Sequence, residues 1–352
     1  MSSVKNLREL VDLVIGVDTH EQFHVAAVVD AVTGGVLDTI QTPAEPAGYQ
    51  QLIDWAQDHP GRRGWAIEGT NSHGIGLTRA LAGELVVEVD RPVRVKRRNG
   101  AKSDVIDAIR AARDALGRDA LATPRAVTGD RAALQVLVTA RHLTVAQATD
   151  TQRQLRSMVL TAPDGLRSRF TDPKTAPMVT QALKLRPHSD DDPLTVILVP
   201  VLKELAHRAR SLRLHAKALE RQILGIVKQW RPDLLDLHGI GPIVAANLLL
   251  VWSHPGRVHS EAAFAMISGT APIPATSGAQ QTRHRLNRSG DRHLNQALHT
   301  LILCRQRHDP ATKAYIERRT AEGKTMREIR RCLKRYAARQ TFRILEKGVD
   351  KT

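Results

Sequence analysis

Short apolar runs separated by turn residues predict that the first third of the chain alternates between strands and helices. Three strand-length runs come first, at 13–18, 23–29 and 36–40, with Gly34-Gly35 as a turn. The pattern then predicts a helix at 46–57, a strand at 64–67, a helix at 74–82, a strand at 85–89 and a helix at 103–116 with Ser103 as its N-cap. This order fits an α/β domain with an RNase H-like sheet.

The middle of the chain has the apolar spacing of long helices. We predict one helix at about 130–160 and a second at 198–230, whereas 162–193 is rich in Pro, Asp and Ser and is predicted to form a loop. The second helix carries an apolar seam with steps of three and four: Leu198, Leu202, Leu205, Ala209, Leu212, Ala216, Leu219, Ile223, Ile226 and Trp230. A coiled coil between subunits and an antiparallel helical hairpin within one subunit both explain this seam.

Charge narrows the classes of partner. The 352 residues carry 52 Lys and Arg against 36 Asp and Glu, a net charge of +16, which favours polyanions such as nucleic acid. No apolar run reaches the roughly 20 residues of a bilayer span, and 1–10 lacks the apolar core of a signal peptide, so we expect a cytoplasmic protein without a membrane partner. The Ala- and Arg-rich composition indicates a high-GC bacterial genome, and we expect the protein to associate with the nucleoid. Cys304 and Cys332 stand far apart, which disfavours a zinc site or a disulfide framework.

Four carboxylates have positions that suit a metal site. Asp18 and Glu68 each close a predicted strand, while Asp104 and Asp107 are three residues apart on one helix face, where they repel unless a cation lies between them. Oxygen ligands of this kind suit Mg²⁺. Taken singly, each acid is explained more simply as a turn former, a surface charge or a favourable charge in a first helical turn. An actin-like or sugar-kinase fold is disfavoured because no Gly-rich phosphate loop follows Asp18.

The last third contains two candidate nucleic-acid contacts. Gly239-Ile240-Gly241 lies between predicted helical segments and is typical of a helix-hairpin-helix, whose second helix start offers N–H groups to a phosphate; a tight connection between packed helices is the alternative. Between Arg305 and Lys347 stand fourteen Lys or Arg and five Asp or Glu, with an apolar stripe at Met326, Ile329, Leu333 and Tyr336.

A serine in a Pro-rich loop precedes a cationic stretch. Ser277-Gly278 is followed by four arginines that we expect to bind nucleic acid, and His284 lies among them: Arg283, Arg285, Arg288 and Arg292. A serine hydroxyl needs such neighbours or a base to act as a nucleophile. The residue pattern alone does not separate Ser277 from Ser289.

Several motifs together resemble the DEDD transposases of the IS110 insertion-sequence family, over nearly the whole chain. They are Gly16-Val17-Asp18-Thr19-His20, Glu68-Gly69-Thr70, Lys102-Ser103-Asp104-Val105-Ile106-Asp107-Ala108, the block from Gly269 to Leu298, Ala314-Tyr315, Arg318-Arg319 and Ala321-Glu322-Gly323-Lys324. The sequence departs from the family at 287–292, where relatives have Lys-Arg-Gly-Asn, and in the poorly matched insertion at 164–192.

The resemblance implies a domain plan and a chemistry. A RuvC-like domain at 12–125 would bind Mg²⁺ through Asp18, Glu68, Asp104 and Asp107, a helical coiled-coil region would span 126–230, and a mainly α Transposase-20 domain at 231–352 would supply Ser277 as nucleophile. It also implies a composite active site in a homodimer or tetramer and an element-encoded bridge RNA that guides the enzyme to DNA.

We therefore expect a transposase that cleaves and exchanges DNA strands of an insertion sequence through a 5′-phosphoserine intermediate. The alternative is a RuvC-like nuclease in which Mg²⁺ activates water at the same carboxylates. A non-catalytic nucleic-acid scaffold would explain the charge but not the four acids.

Overall fold

The computed structural model describes residues 3–89, 103–275 and 284–347. The chain divides into two compact units, one formed by Met1–Ala132 with Leu248–Thr352 and the other by Ala133–Asn247. The domain limits expected from the sequence stay a prediction. Among the described helices, none combines the length and the apolarity needed to cross a membrane.

The first part of the chain forms a mixed α/β sheet, which confirms the predicted class of this domain. Its seven strands lie in the order β1-β7-β6-β5-β2-β3-β4, antiparallel for β2-β3-β4 and parallel for β2-β5-β6. The elements are β1 (Ser3–Lys5), α1 (Leu7–Leu10), β2 (Leu13–Thr19), β3 (Phe23–Asp30), β4 (Val36–Pro43), α2 (Pro46–Gln57), β5 (Arg63–Glu68), α3 (Ile75–Ala80), β6 (Val86–Val89), α4 (Asp104–Leu116) and β7 (Ala120–Ala122). The short strands β1, at one edge of the sheet, and β7, beside it, were not predicted.

Helices cover both faces of this sheet. On one face Ala112 and Ala115 of α4 pack with Val14, and on the other Leu52 of α2 packs with Ile15. Both apolar faces are buried, so β2 has an almost continuous apolar sequence instead of alternating polar and apolar residues. Packing on both faces holds the central strands, and with them the residues at their carboxyl ends, in fixed positions.

The second unit is built mainly from two long helices. Arg141 donates to Glu220 at 2.9 Å, and Arg213 donates to Gln152 at 2.9 Å. The earlier residue of the first helix thus contacts the later residue of the second, so the two helices are antiparallel within the chain. The seam residues of the second helix are all buried or half-buried. The helices between Gly129 and Trp230 are α5 (Gly129–Leu160), α6 (Asp164–Arg167), α7 (Thr175–Lys184) and α8 (Pro193–Trp230).

The prediction of a loop over 162–193 is wrong for part of that segment. Three residues of α7, Met178, Val179 and Ala182, are buried against α8, in the same apolar cluster as Leu202. Pro173, Pro187 and four of the Asp residues lie in the connections on either side of α7, and Pro177 lies in its first turn, so the composition of the segment masked the short apolar stripe of the helix. Asp192 caps α8 by accepting from the amide nitrogens of Leu194 and Thr195.

The last part of the chain is helical, as predicted, with one small hairpin. Its elements are a 3₁₀ helix (Pro232–Leu234), α9 (Pro242–Trp252), α10 (Glu261–Ile267), β8 (Pro272–Pro274), β9 (His284–Leu286), α11 (Arg292–His308), α12 (Pro310–Ala321) and α13 (Met326–Lys347). The apolar stripe expected on α13 is only half correct. Ile329 and Leu333 are buried, but Tyr336 is 51% exposed and Met326 is 41% exposed.

Buried charge joins the sheet to these helices within the first unit. Glu88 of β6 accepts from Arg257 at 2.9 Å and lies 3.7 Å from Arg125. Nearby, the buried Arg131 donates to Asn71 and to the carbonyl of Leu250. Burial, followed by repulsion from Arg125 and Arg257, lowers the pKa of Arg131 to about 10.

Candidate metal centre and nucleic-acid interface

Two of the predicted acids lie at the same edge of the sheet. Asp18 is the penultimate residue of β2, and Glu68 is the last residue of β5, which runs parallel to β2 with Val17 opposite Ile67. The hydroxyl of Thr19 donates to the carbonyl of Glu68 at 2.9 Å and ties the two strand ends together. The carboxyl ends of both strands therefore form one rigid edge.

Close packing of α4 brings a third acid to this edge. An ideal Cβ at Gly16 would lie 2.0 Å from the carbonyl oxygen of Ala108 and 2.6 Å from the nitrogen of Ala112, so only glycine lets the helix backbone approach the strand this closely. Asp104 begins α4, and Ser103 occupies the N-cap position without a capping side-chain hydrogen bond. The close approach of α4 to β2 places Asp104, at the start of the helix, near Asp18.

Asp18, His20 and Asp104 meet at this point. Nε2 of His20 lies 3.2 Å from Oδ2 of Asp18 and 3.5 Å from Oδ1 of Asp104. One ligand atom from each of the three residues lies within 4.8 Å of the others, a spacing that allows them to share a divalent cation. Carboxylate oxygen suits Mg²⁺ and Mn²⁺, and imidazole nitrogen is a further ligand that transition metals accept.

His20 is a residue that the sequence reasoning did not assign. It is two positions after Asp18, and a period of two puts both on the same side of an extended chain. That spacing in Asp18-Thr19-His20 was the available signal.

The electrostatics of Asp18 favour a bound cation. Burial is the largest influence and raises the pKa of Asp18, while the nearby His20 opposes that rise and Asp107 and Asp104 add to it. A half-buried carboxylate crowded by two others is costly in its charged form. A divalent cation would remove this cost.

The other two predicted acids are placed less centrally. Among the described residues, the group that shares ligand spacing contains neither Glu68 nor Asp107. Asp107 accepts from Arg110 at 2.8 Å and influences Asp18 through space. The structure thus brings together two of the four acids, with Glu68 on the neighbouring strand end.

The predicted serine nucleophile, Ser277, and Arg283 lie outside the described residues. Arg285 is exposed on β9, and Arg288 and Arg292 are exposed in the following turn and helix start. The alternative serine, Ser289, donates to Oδ1 of Asn287 at 2.6 Å.

That turn after β9 is rigidly anchored. The buried Asn287 donates to the carbonyl of Met266 at 3.1 Å, and Asp291 caps α11 by accepting from the nitrogen of Leu294 at 2.8 Å. Gly290 has φ +103°, and a Cβ there would lie 2.5 Å from the carbonyl oxygen of Ile267. The cationic side chains therefore project from a fixed backbone.

The predicted helix-hairpin-helix has a shorter first arm than expected. Gly239 adopts φ +85°, and Gly241 precedes Pro242, the first residue of α9. The segment before the turn is the 3₁₀ helix Pro232–Leu234, not a full α-helix. An ideal Cβ at Gly241 meets no atom within 4 Å, so the backbone at the start of α9 is open to a ligand.

Comparison with known proteins gives two matches along the chain. Residues 15–162 match a family model described as "Transposase", of the DEDD type of IS110, and residues 232–317 match one described as "Transposase IS116/IS110/IS902 family". The first matched segment contains all four predicted acids, and the second contains Ser277, Gly239 and the cationic turn.

A curated relative agrees with these matches. The chain is 28% identical over 158 residues to the protein named "Insertion element IS110 uncharacterized 43.6 kDa protein" of Streptomyces coelicolor. The alignment covers 44% of this chain and 39% of that protein. The chain therefore spans about two fifths of the length of this relative.

Proposed function

Because the chain belongs to the IS110 family of transposases, we propose that it is a DNA recombinase that cuts and rejoins the strands of an insertion sequence. The observation that carries this proposal is the meeting of Asp18, His20 and Asp104 at the carboxyl end of β2. The carboxylate site lies in the segment that matches the DEDD transposases.

The residues at this edge fit Mg²⁺. Asp18 and Asp104 would hold the ion, and Glu68 and Asp107 would complete the set of oxygen ligands from the neighbouring strand end and the same helix turn. The bound ion would neutralise charge on the scissile phosphate. The rigid β2–β5 edge and the close packing of α4 at Gly16 fix the relative positions of these side chains.

Ser277 is the nucleophile of the strand-breaking step. Its Oγ attacks the scissile phosphorus, the Oγ–P bond forms, and the P–O3′ bond breaks, leaving a 5′-phosphoserine. The 3′ oxygen takes up one proton as the serine hydroxyl loses one. Arg285, Arg288 and Arg292, with Arg283, neutralise phosphate charge. A different 3′ hydroxyl then attacks the phosphoserine, so the strands rejoin without ATP.

Three finer features of the architecture belong to the same proposal. The antiparallel β2-β3-β4 and parallel β2-β5-β6 neighbours support an RNase H-like, RuvC-like fold. The open backbone at Gly241, together with the positive φ of Gly239 in the preceding turn, supports phosphate contact by a helix-hairpin-helix. The seam of α8, packed against α5 within the chain, supports a coiled-coil arm.

The partners we propose are the element ends, the target DNA, a bridge RNA encoded by the element, and further copies of the chain. The net charge of +16 supports nucleic acid as partner. The dimer or tetramer would build composite sites, each with carboxylates from one subunit and Ser277 from another. Size-exclusion chromatography with light scattering, with and without the transcribed flanking RNA, tests both the assembly and the RNA.

A denaturing-gel assay for protein linked to DNA tests the chemistry. Wild type, with Mg²⁺, element-end DNA and the flanking RNA, should give a covalent adduct that disappears in Ser277→Ala and in Asp104→Asn. Ser289→Ala is the matched control, since Ser289 is also followed by glycine, and it should keep the adduct. Cleavage without an adduct in wild type would instead support the water-activating nuclease.

A further inference from the structure

A cavity of about 480 Å³ lies between the β8–β9 hairpin and α13, and the metal centre does not use it. Its wall includes Arg285 and Leu286 from the hairpin and Arg331, Lys334 and Tyr336 from α13. We infer that this cavity holds one unpaired nucleotide of the DNA strand that Ser277 attacks. The inference rests on the proposed function, because that function supplies the strand.

Positive charge dominates the cavity wall. Six cationic side chains line it against a single acid, Glu328: Arg285, Arg319, Lys324, Arg331, Lys334 and Arg335. Two of these cations are already paired, Arg335 with Glu261 and Arg319 with Glu322. Glu328 itself accepts from the nitrogen and hydroxyl of Thr325, both at 2.8 Å, so its carboxylate serves the start of α13.

The remaining charge has the properties of an anion site. Within the part of the chain that the structure describes, neither Arg331 nor Lys334 forms an ion pair with a carboxylate; Lys334 donates to the neutral amide oxygen of Asn295 at 3.0 Å. Burial, and after it the nearby Arg331, lowers the pKa of Lys334. Two cations held close together in a partly enclosed wall are stabilised by a phosphate.

An exposed aromatic ring stands beside these cations. Tyr336 is 51% exposed, and its ring is held edge-on by Tyr315, with centroids 5.8 Å apart and planes at 89°. Leu286 is 49% exposed on the opposite wall. A fixed aromatic face next to cations that no carboxylate contacts directly is the combination that binds unpaired bases, which stack while their phosphates contact the cations.

Size and sequence position select the ligand. The volume lies in the range of sites that enclose one small molecule, so the cavity admits a nucleotide but not a paired duplex. Arg285 follows Ser277 by only eight residues along the chain. The strand nearest to this wall is therefore the DNA strand that contains the scissile phosphate.

Fluorescence anisotropy with a labelled 12-nucleotide single-stranded DNA tests the charge and the ring separately. In EDTA, Arg331→Gln should reduce the slope of log affinity against log salt by about 0.7, the value for one phosphate contact. Tyr336→Leu should weaken binding about 5-fold or more with an unchanged slope, because it removes the aromatic face and no charge. The blunt duplex of the same sequence should respond to neither change.

Arg343→Gln is the matched control for charge. It removes one exposed cation from the same helix, twelve residues further on, or about 18 Å away. Its single-strand affinity and salt slope should equal those of wild type. Wild-type behaviour of both Arg331→Gln and Tyr336→Leu would overturn the assignment of the cavity.

Cys332 provides a probe that needs no substitution. It lines the cavity, whereas Cys304 does not, and both thiols are half-buried. Saturating single-stranded DNA should slow alkylation of Cys332 at least 5-fold and leave Cys304 unchanged. Equal alkylation rates with and without DNA, or protection only by the matching RNA, would overturn the inference.

The two proposals can fail independently. Binding and alkylation are measured in EDTA without strand cleavage, so they do not depend on Ser277 or the metal. Protection of Cys332 without any covalent adduct would contradict the serine chemistry and support the nucleotide site. A normal adduct with an unprotected Cys332 would support the serine chemistry and contradict the nucleotide site.

Discussion

Replacing Gly16 with alanine should displace α4 and open the metal centre. The added Cβ would lie 2.0 Å from the carbonyl oxygen of Ala108, whereas ordinary contacts begin at 3.4 Å. The helix would have to retreat by the difference, about 1.4 Å, because the atoms in the way belong to its backbone. Asp104 begins that helix, so it would move away from Asp18, which is fixed in β2.

The magnitude of this effect follows from packing. Overpacking of a rigid core costs about 1–3 kcal/mol. At about 3 °C per kcal/mol for a domain of this size, the apparent Tm of Gly16→Ala should fall by about 3–9 °C. Metal affinity, measured by titration calorimetry, should fall about 10-fold or more, since the ligand positions are disturbed. A displacement above 1 Å should also slow strand joining about 100-fold.

Gly117→Ala separates this steric effect from a general effect of removing a glycine. Gly117 ends the same helix at φ −88°, and its Cβ would meet Arg113 at an ordinary 3.5 Å. This variant should keep metal affinity and gain about 0.4–1 kcal/mol of stability. If Gly16→Ala matched Gly117→Ala in Tm and metal affinity, close packing of α4 on β2 would not position the site.

Three further perturbations test other parts of the structure. His20→Ala should lower metal affinity about 10-fold by calorimetry, and an unchanged affinity would remove His20 from the site. Glu88→Gln should lower the free energy of unfolding, measured with denaturant, by about 3 kcal/mol, because it leaves the buried Arg257 without its carboxylate partner. The control Glu84→Gln, at an exposed position, should lower it by less than about 0.5 kcal/mol. Equal losses in the two variants would contradict this account. Burial, and after it repulsion from Arg257, lowers the pKa of His254 from 6.5 to about 4. Because the folded protein disfavours the charged imidazole, the contribution of His254 to stability is complete above pH 6.5. This contribution, about 3 kcal/mol, is lost as the pH falls from 6.5 toward 4. His254→Gln should remove that part of the acid sensitivity in pH-dependent denaturation, and identical profiles would show that His254 does not supply it.

Local pattern was sufficient for most elements of the sheet. The helix predicted at 46–57 coincides with α2, and the strand predicted from Leu13 begins β2 at that residue. These elements are specified by their own periodicity and by nearby turn residues. By contrast, β1 and β7 are three residues long and exist because they pair with each other across more than a hundred residues. No window of sequence contains that information.

The part of the candidate site that lies at strand ends could be predicted from the sequence. The part whose geometry depends on how α4 packs on the sheet could not. Asp18 and Glu68 could be placed at one sheet edge from the order of strands alone. The contribution of His20 depends on its distance to Asp104, which is set by how closely α4 approaches Gly16. Small residues at Gly16, Ala108 and Ala112 permit that approach, but spacing along the chain does not reveal that they face one another.

The buried arginines show why the coupling between sheet and C-terminal helices lay beyond sequence reasoning. Arg131 donates to Asn71, in the turn that follows Glu68, and to the carbonyl of Leu250 at the end of α9. These two partners are 60 and 119 residues away in the sequence. Viewed by sequence alone, an Arg in a basic chain is equally typical of a nucleic-acid contact. Its burial instead makes it a structural link, since an enclosed guanidinium must find acceptors or destabilise the fold. The turn after Glu68 is thereby fixed to the helices that lead to the serine segment, and excess positive charge alone does not identify the residues that bind DNA.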